Sequence, residues 1–160
     1  MSMEKHQSQN KSNTWKELKN SISYVEISLI VHVTEDFQKV LQAIRNLLPT
    51  PYSDNVSFEK EELLGHHKNL IILVRTTIKT KKVVYTFIEN LYNKLNIIDK
   101  DELSKNFHNR LDNKKTFFLR VDKQKAYQGK IKLSNIDPIL IKIKLNFFPT
   151  NFKEIINPNK

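Results

Sequence analysis

Alternating apolar and polar residues mark six segments of the chain as half-buried β-strands, because successive side chains on a strand point to opposite faces. The pattern is clearest where Val25, Ile27, Leu29, Val31 and Val33 share one face. The predicted strands cover residues 24–33, 55–60, 70–79, 116–122, 130–133 and 139–148. A turn-like break at residues 65–69 lies between the second and third of these strands.

Three other segments carry apolar residues at the spacing of a helix, and each follows a capping signal. The first helix follows residues 34–36 and the second follows Thr80. The third starts at Asp99, which forms an Asp variant of the capping box with Glu102. Strand runs mixed with helix runs favour an α+β fold with a mostly antiparallel or mixed sheet of about five or six strands and two to three helices on one face.

The chain shows no internal repeat and no linker, so we expect a single domain in its 160 residues. The predicted divisions are a flexible N-terminal segment at 1–20, the α+β domain at 21–149 and a polar, loosely specified C-terminal tail at 150–160. No apolar run approaches the roughly 18 residues of a membrane-spanning helix, and the polar N-terminus lacks the apolar stretch of a signal peptide. We therefore expect a cytoplasmic protein that does not enter the membrane.

Composition excludes several kinds of chemistry. The absence of cysteine rules out disulfides, Cys-ligated zinc and thiol catalysis. With only two glycines, the chain contains neither a phosphate-binding Walker loop nor a dinucleotide-binding glycine motif. His66 and His67 are adjacent and would point to opposite faces of a strand, which makes them poor joint metal ligands. The sequence thus predicts no cofactor and no metal.

Positive charge is concentrated in one part of the sequence. The chain has 27 basic and 17 acidic side chains, a net charge of +10, which makes polyanions the first partners to consider. Residues 21–113 carry twelve basic and twelve acidic side chains, a net charge of zero. Residues 114–144 carry nine basic and two acidic ones, a net charge of +7. A solvated basic face that merely aids solubility is the alternative interpretation.

Lysines recur with a period of two in the last two predicted strands, at Lys130 and Lys132 and at Lys142 and Lys144. If the two strands were neighbours, the four ammonium groups would lie on one sheet surface, where a phosphate backbone would relieve their repulsion. Protection of an edge strand from aggregation is the alternative. The predicted RNA contacts are Arg120, Lys123, Gln124, Lys125, Lys130, Lys132, Lys142 and Lys144, extended by the turn residues His66, His67 and Lys68.

A run at residues 119–129 combines these features: Asp122 is expected to cap a short helical turn over residues 123–128, and Gly129 to supply its left-handed end. This run is the most specific part of a wider pattern that resembles the archaeal RNA-binding family described as predicted exosome-associated. The other matching elements are Val25-Glu26-Ile27, Val31-His32-Val33 leading to Thr34-Glu35-Asp36, Asn46-Leu47-Leu48-Pro49, and Gly65-His66-His67 with Asn69. The chain departs from the pattern at Lys68, where a glycine is common.

The resemblance implies an α+β fold similar to the large-subunit ribosomal protein that binds 5S ribosomal RNA, and it implies RNA binding without established catalytic residues. We therefore expect a non-enzymatic protein, a monomer or weak homo-oligomer, that binds structured RNA. One alternative is an adaptor in an RNA-processing complex, with Phe117, Phe147 or Phe148 on its surface. The other is a small hydrolase acting on an anionic substrate through Asp122.

Overall fold

The computed structural model describes residues 21–156, and the alternating segments form a five-stranded sheet in it. The elements follow the order β1 Ile22–His32, α1 Phe37–Leu47, β2 Glu59–Leu64, β3 Leu70–Ile78, α2 Lys81–Lys94, α3 Ile97–Lys105, β4 Thr116–Val121, α4 Lys123–Tyr127, β5 Ile139–Leu145 and α5 Phe152–Ile156. The strand order is β2-β3-β1-β5-β4, and every neighbouring pair is antiparallel. The predicted α+β class is confirmed, while the segment predicted to be flexible at 1–20 lies outside the described residues.

One face of the sheet forms the hydrophobic core with the helices. Val25 and Ile27 of β1 and Ile141 and Ile143 of β5 have no solvent-exposed surface. Helices α1 and α2 cover this face with apolar residues at helical spacing, namely Val40, Leu41, Ile44, Leu47, Val84, Phe87, Ile88 and Leu91. Burial of these side chains is the main source of stability, and it fixes which side of each strand faces solvent.

The other face of the sheet, termed the open face below, carries the residues that alternate with the core. A row of alternating charges crosses four of its strands, from Glu59 through Arg75 and Glu26 to Lys142. Arg75 Nε lies 3.3 Å from Glu26 Oε1, while the Arg75–Glu59 and Lys142–Glu26 pairs are 3.8 and 3.9 Å apart. Partly exposed pairs of this kind contribute only about 0–1 kcal/mol each. They do reduce the net charge of the open face.

Two predicted elements begin at other residues than expected. The predicted strand at 55–60 forms at Glu59–Leu64 instead, because the register of the β2–β3 hairpin pairs Leu64 with Leu70. Helix α3 starts before Asp99, because Asn96 is its N-cap and accepts a 2.8 Å hydrogen bond from the Asp99 amide. The predicted cap at Asp122 is present, and its carboxylate accepts a hydrogen bond from an amide of the first helical turn. The sequence predicts that the hydroxyl of Thr34 caps α1, but the N-cap is Asp36, whose carboxylate accepts hydrogen bonds from two amides.

The predicted strand at 130–133 does not form. These residues follow α4 directly and pair with β4 through a single bridge, between Val121 and Leu133. The Asp122 amide donates to the Lys132 carbonyl at 2.9 Å, and the Ser134 amide donates to the Arg120 carbonyl at 3.0 Å. The segment therefore lies along the outer edge of β4, and β4 separates it from β5. The condition that the two lysine-bearing segments are neighbouring strands is therefore not met.

The segment predicted to be a loose C-terminal tail contains helix α5, whose Phe152 is 4% exposed. The Phe152 ring lies 5.3 Å from the ring of Tyr92 and 5.4 Å from that of Phe117, measured between centroids. Phe117 is fully buried in the same cluster, which excludes it as a surface contact for a protein partner. The aromatic cluster thus joins α5 to β4 and α2.

We expect the substitution Phe152→Ala to lower the free energy of unfolding by about 3–5 kcal/mol, because it removes a buried aromatic ring and leaves a cavity. Denaturant unfolding followed by circular dichroism measures the loss. Phe148→Ala is the matched control, since Phe148 is 57% exposed and its truncation is expected to cost less than about 1 kcal/mol. Equal effects of the two substitutions would show that α5 does not belong to the core.

Candidate nucleic-acid interface

Most of the predicted RNA contacts lie at one end of the sheet, because of the strand directions. β1 and β4 are both antiparallel to β5 and therefore finish at the same end, where β3 begins. The β2–β3 turn, helix α4 and the 130–138 connection all emerge there. This end, termed the binding end below, collects residues that are far apart in the sequence.

Helix α4 is held firmly at the binding end. The Asp122 carboxylate accepts a 2.8 Å hydrogen bond from the Lys125 amide, and Gly129 ends the helical turn with φ of +78°. The Asn46 side chain on α1 donates hydrogen bonds to the carbonyls of Ala126 and Tyr127, at 3.1 and 2.9 Å. Asp122 therefore has a structural role as the N-cap of α4. Asn46, which belongs to the α1 part of the sequence pattern, holds α4 and its basic residues against α1.

Four lysines line a groove of about 510 Å³ at the binding end: Lys94, Lys125, Lys130 and Lys132. None of the four forms an ion pair with a residue in the range 21–156. This set is termed the lysine groove below. Sequence reasoning did not find Lys94, because it lies in the electrically neutral first part of the chain. Its position in the last turn of α2 is the signal that could have indicated it.

Lys123 points into the protein, although it belongs to the same basic run. Its side chain is 12% exposed, and its ammonium donates hydrogen bonds to the Ile30 carbonyl, to Glu35 Oε1 at 3.2 Å and to Asp137 Oδ2 at 2.9 Å. The three partners come from β1, from the β1–α1 connection and from the connection before β5. Lys123 therefore joins these segments. Its ammonium is already paired with two carboxylates and is poorly accessible to a ligand.

Asp137 is the centre of this ionic cluster, since His32 Nε2 also lies 3.1 Å from its Oδ1. Burial opposes ionisation of Asp137, but the hydrogen bonds from Lys123 and His32 and the charges of both groups outweigh it. The pKa of Asp137 is consequently held below its usual range. His32, Glu35 and Asp137 could together ligate a cation, with ligand atoms within 4.8 Å of one another. The Lys123 ammonium already supplies positive charge to Glu35 and Asp137.

The predicted contact Gln124 lies on α4, and the remaining predicted contacts lie on the open face or at the hairpin. Lys142 is next to Glu26, and the Lys144 ammonium donates to the Lys114 carbonyl. Arg120 is half-buried on β4, where it pairs with Leu140 of β5. The lysines of β5 are therefore separate from the lysine groove, and the surface of four ammonium groups that neighbouring strands would have given does not form.

The turn of the β2–β3 hairpin places His66, His67 and Lys68 at the binding end. The turn is closed by a 2.7 Å hydrogen bond from the Gly65 amide to the Asn69 carbonyl, and Lys68 adopts φ of +60°. That left-handed conformation favours glycine, the residue common at this position in the family pattern. The hairpin turn leads into β3, and Arg120 lies on β4. These two strands are three inter-strand steps apart in the sheet, or about 14 Å.

The fold and the convergent lysines define a class of α+β protein suited to polyanions, and the comparisons with known proteins give its family. Residues 24–147 match the model of the RNA-binding family, so the chain belongs to that family. An RNA-binding protein from Pyrococcus abyssi is 34% identical over 134 residues, which are 82% of this chain and 87% of that protein. The sequence-based assignment to an archaeal RNA-binding family is confirmed.

Two solved structures of DUF54 proteins have the same fold. The protein from Archaeoglobus fulgidus is 29% identical and superposes with a TM-score of 0.70, covering 84% of this chain and 94% of that one. The protein from Methanothermobacter thermautotrophicus is 30% identical with a TM-score of 0.67, covering 86% and 94%. Within residues 21–156, no helix has the length and apolar character needed to cross a membrane.

We expect Lys123→Met to lower the free energy of unfolding by about 1–3 kcal/mol at neutral pH, because Glu35 and Asp137 lose a largely buried hydrogen-bond donor. The pKa of Asp137 is lower in the folded than in the unfolded state. Its stabilising contribution is therefore complete above the unfolded pKa and is lost as the pH falls through the folded pKa. The difference between the two proteins should accordingly shrink in acid, as measured by urea unfolding across pH.

Lys39→Met is the control for this substitution, because Lys39 is an exposed lysine on α1 without an ion pair to any residue from 21 to 156. We expect it to change stability by less than about 0.5 kcal/mol. A loss in Lys123→Met that is equally large at every pH would mean that Asp137 is not the partner that matters.

Proposed function

We propose that this protein binds RNA without acting as an enzyme, and that the lysine groove contacts the phosphate backbone. The observation that carries the proposal is the convergence of Lys94, Lys125, Lys130 and Lys132 on one groove without a carboxylate partner in the described part of the chain. Like charges held close together repel, and a phosphate chain that enters the groove turns this repulsion into attraction.

The internal pairing of other charges supports this choice of site. Lys123 is bound to Glu35 and Asp137, and Lys142 and Arg75 are bound to Glu26. A phosphate would have to compete with these carboxylates, whereas at the lysine groove it competes only with water and counterions. The lysine groove therefore brings together four lysines of the binding end that have no ion pair within residues 21–156.

The other predicted contacts have a secondary role in this proposal. Arg120, with its planar guanidinium, and the exposed Gln124 provide directional hydrogen bonds close to α4, while the lysines act as point charges. Lys142 and Lys144 extend the positive potential over the β5 side of the open face. The Pyrococcus abyssi relative carries the name of an RNA-binding protein, which agrees with this interpretation. Participation in an RNA-processing complex stays a prediction.

The substitution of Lys125, Lys130 and Lys132 by glutamine is expected to weaken RNA binding by about 100-fold at 0.1 M salt. Each phosphate contact contributes about 0.7–0.9 to the slope of log affinity against log salt. Loss of three contacts should therefore reduce that slope by about two to three. Fluorescence anisotropy with a structured RNA, titrated at several salt concentrations, measures both quantities.

The matched control replaces Lys79, Lys82 and Lys153 by glutamine. These lysines are exposed and lie outside the lysine groove, and their removal changes the net charge by the same three units, from +10 to +7. We expect a small, general loss of affinity and an almost unchanged salt slope. Equal losses of RNA affinity in the two triple variants would show that the positive charge acts nonspecifically and not through the lysine groove. No binding by the unmodified protein at low salt would refute RNA binding itself.

A further inference from the structure

A second cavity, of about 580 Å³, lies at the binding end on the side of the β2–β3 hairpin. β1 ends opposite Ile71, whereas the hairpin continues beyond this point through its turn. The β1–α1 connection closes the other side of the space, with Val33 and Thr34 in its lining. The cavity is therefore a product of the different lengths of β1 and the hairpin, and is termed the hairpin cavity below.

Part of the lining of the hairpin cavity is aliphatic. Ile30 is 36% exposed, Leu70 44% and Val33 73%, although large apolar side chains are normally buried where a core is available. Such an exposed cluster in a concave site is typical of a surface that a ligand covers. The ligand must bring an apolar face, because these side chains offer no hydrogen bonds.

Three histidines are among the residues that line the hairpin cavity: His32, His66 and His67. Adjacent histidines would diverge on a strand, but His66 and His67 lie in a turn and both line this one space. His32 is oriented by its 3.1 Å contact with Asp137. An imidazole offers a flat ring for stacking and nitrogen atoms for hydrogen bonds. No carboxylate lines the cavity.

A chain of contacts links the hairpin cavity to the lysine groove. His32 at the cavity contacts Asp137, and Asp137 contacts Lys123, which stands two residues before Lys125 of the lysine groove. The carboxylates along this path, Glu35 and Asp137, are paired with Lys123. The two sites are thus joined through one ionic cluster, in which the Lys123 ammonium offsets one of the two carboxylate charges.

We infer that the hairpin cavity binds an unstacked nucleobase from a single-stranded segment, such as a loop or bulge, of the RNA held by the lysine groove. This inference rests on the proposed function. A base has an apolar π-face for the aliphatic side chains and the imidazoles, and it has polar edges for the imidazole nitrogens. The alternative occupant is a side chain of a protein partner, for which neither the neighbouring lysines nor the absence of carboxylates would be needed.

The test compares single-stranded RNA of about ten nucleotides with a blunt duplex of the same length. The double variant His66→Ala/His67→Ala is expected to bind the single strand about 5- to 100-fold more weakly than the unmodified protein, which is the usual effect of losing one base-stacking site. Binding of the duplex should not change, because its bases stay paired. In NMR spectra, ring protons of His66 and His67 should shift with the single strand and not with the duplex.

Two controls separate this inference from the proposed function. His108→Ala removes an exposed histidine that does not line the cavity, and we expect unchanged binding of both RNAs. The triple lysine variant should lose affinity for both RNAs alike. If the double histidine variant binds the single strand like the unmodified protein, the inference is overturned. The result would then favour a side chain of a protein partner as the occupant of the cavity. Loss of binding by the lysine variant would still support the proposed function.

Discussion

The antiparallel pairing of β5 between β1 and β4 is the constraint on which the rest of the structure depends. It brings Ile141 and Ile143 of β5 beside Ile27 and Val25 of β1, so that one continuous apolar face can accept the helices. It also makes β1 and β4 finish at the same end of the sheet. The connections that leave the two strands are thereby brought together, although about 90 residues separate them in the chain.

The same strand pairing determines which charged side chains meet at the binding end. The ammonium of Lys123 joins the ends of β1 and β4 to the segment before β5, and it uses two carboxylates from distant parts of the sequence. Burying a lysine is costly unless its charge is paired, which Glu35 and Asp137 accomplish here. Both carboxylates are directed to Lys123, and neither forms an ion pair with a lysine of the lysine groove. The structural lysine and the exposed lysines of one basic run therefore serve different purposes.

Local features of the fold could be predicted from the sequence, because they depend on residues close together in the chain. The cap at Asp122, the left-handed Gly129 and the alternation of β1 are all of this kind. The failed prediction of a strand at 130–133 concerns partners far away in the chain. Residues 130–133 have the alternation of a strand, but periodicity does not say that β4 would stand between them and β5.

The candidate site shows the same division between local and distant information. The excess charge of residues 114–144 includes Lys125, Lys130 and Lys132, which share a groove in the folded chain. A charge count could not distinguish them from Lys123, whose partners are found only in the folded chain. A charge count also could not include Lys94, because Lys94 lines the lysine groove only through the position of the last turn of α2 in the folded chain. Sequence therefore located the basic segment, while folding decides which of its charges face solvent.

Affinity and selectivity have separate physical sources in the interface that we propose. Ammonium groups interact with any phosphate backbone, so the lysine groove by itself would hold different RNAs with similar strength. Selectivity requires contacts with bases, which in a duplex are stacked and largely hidden from side chains. The hairpin cavity offers an aliphatic lining and imidazole rings at the same end of the sheet. In this proposal, a site able to read a base lies beside one able only to hold a backbone, and the ionic cluster around Asp137 connects the chain segments between them.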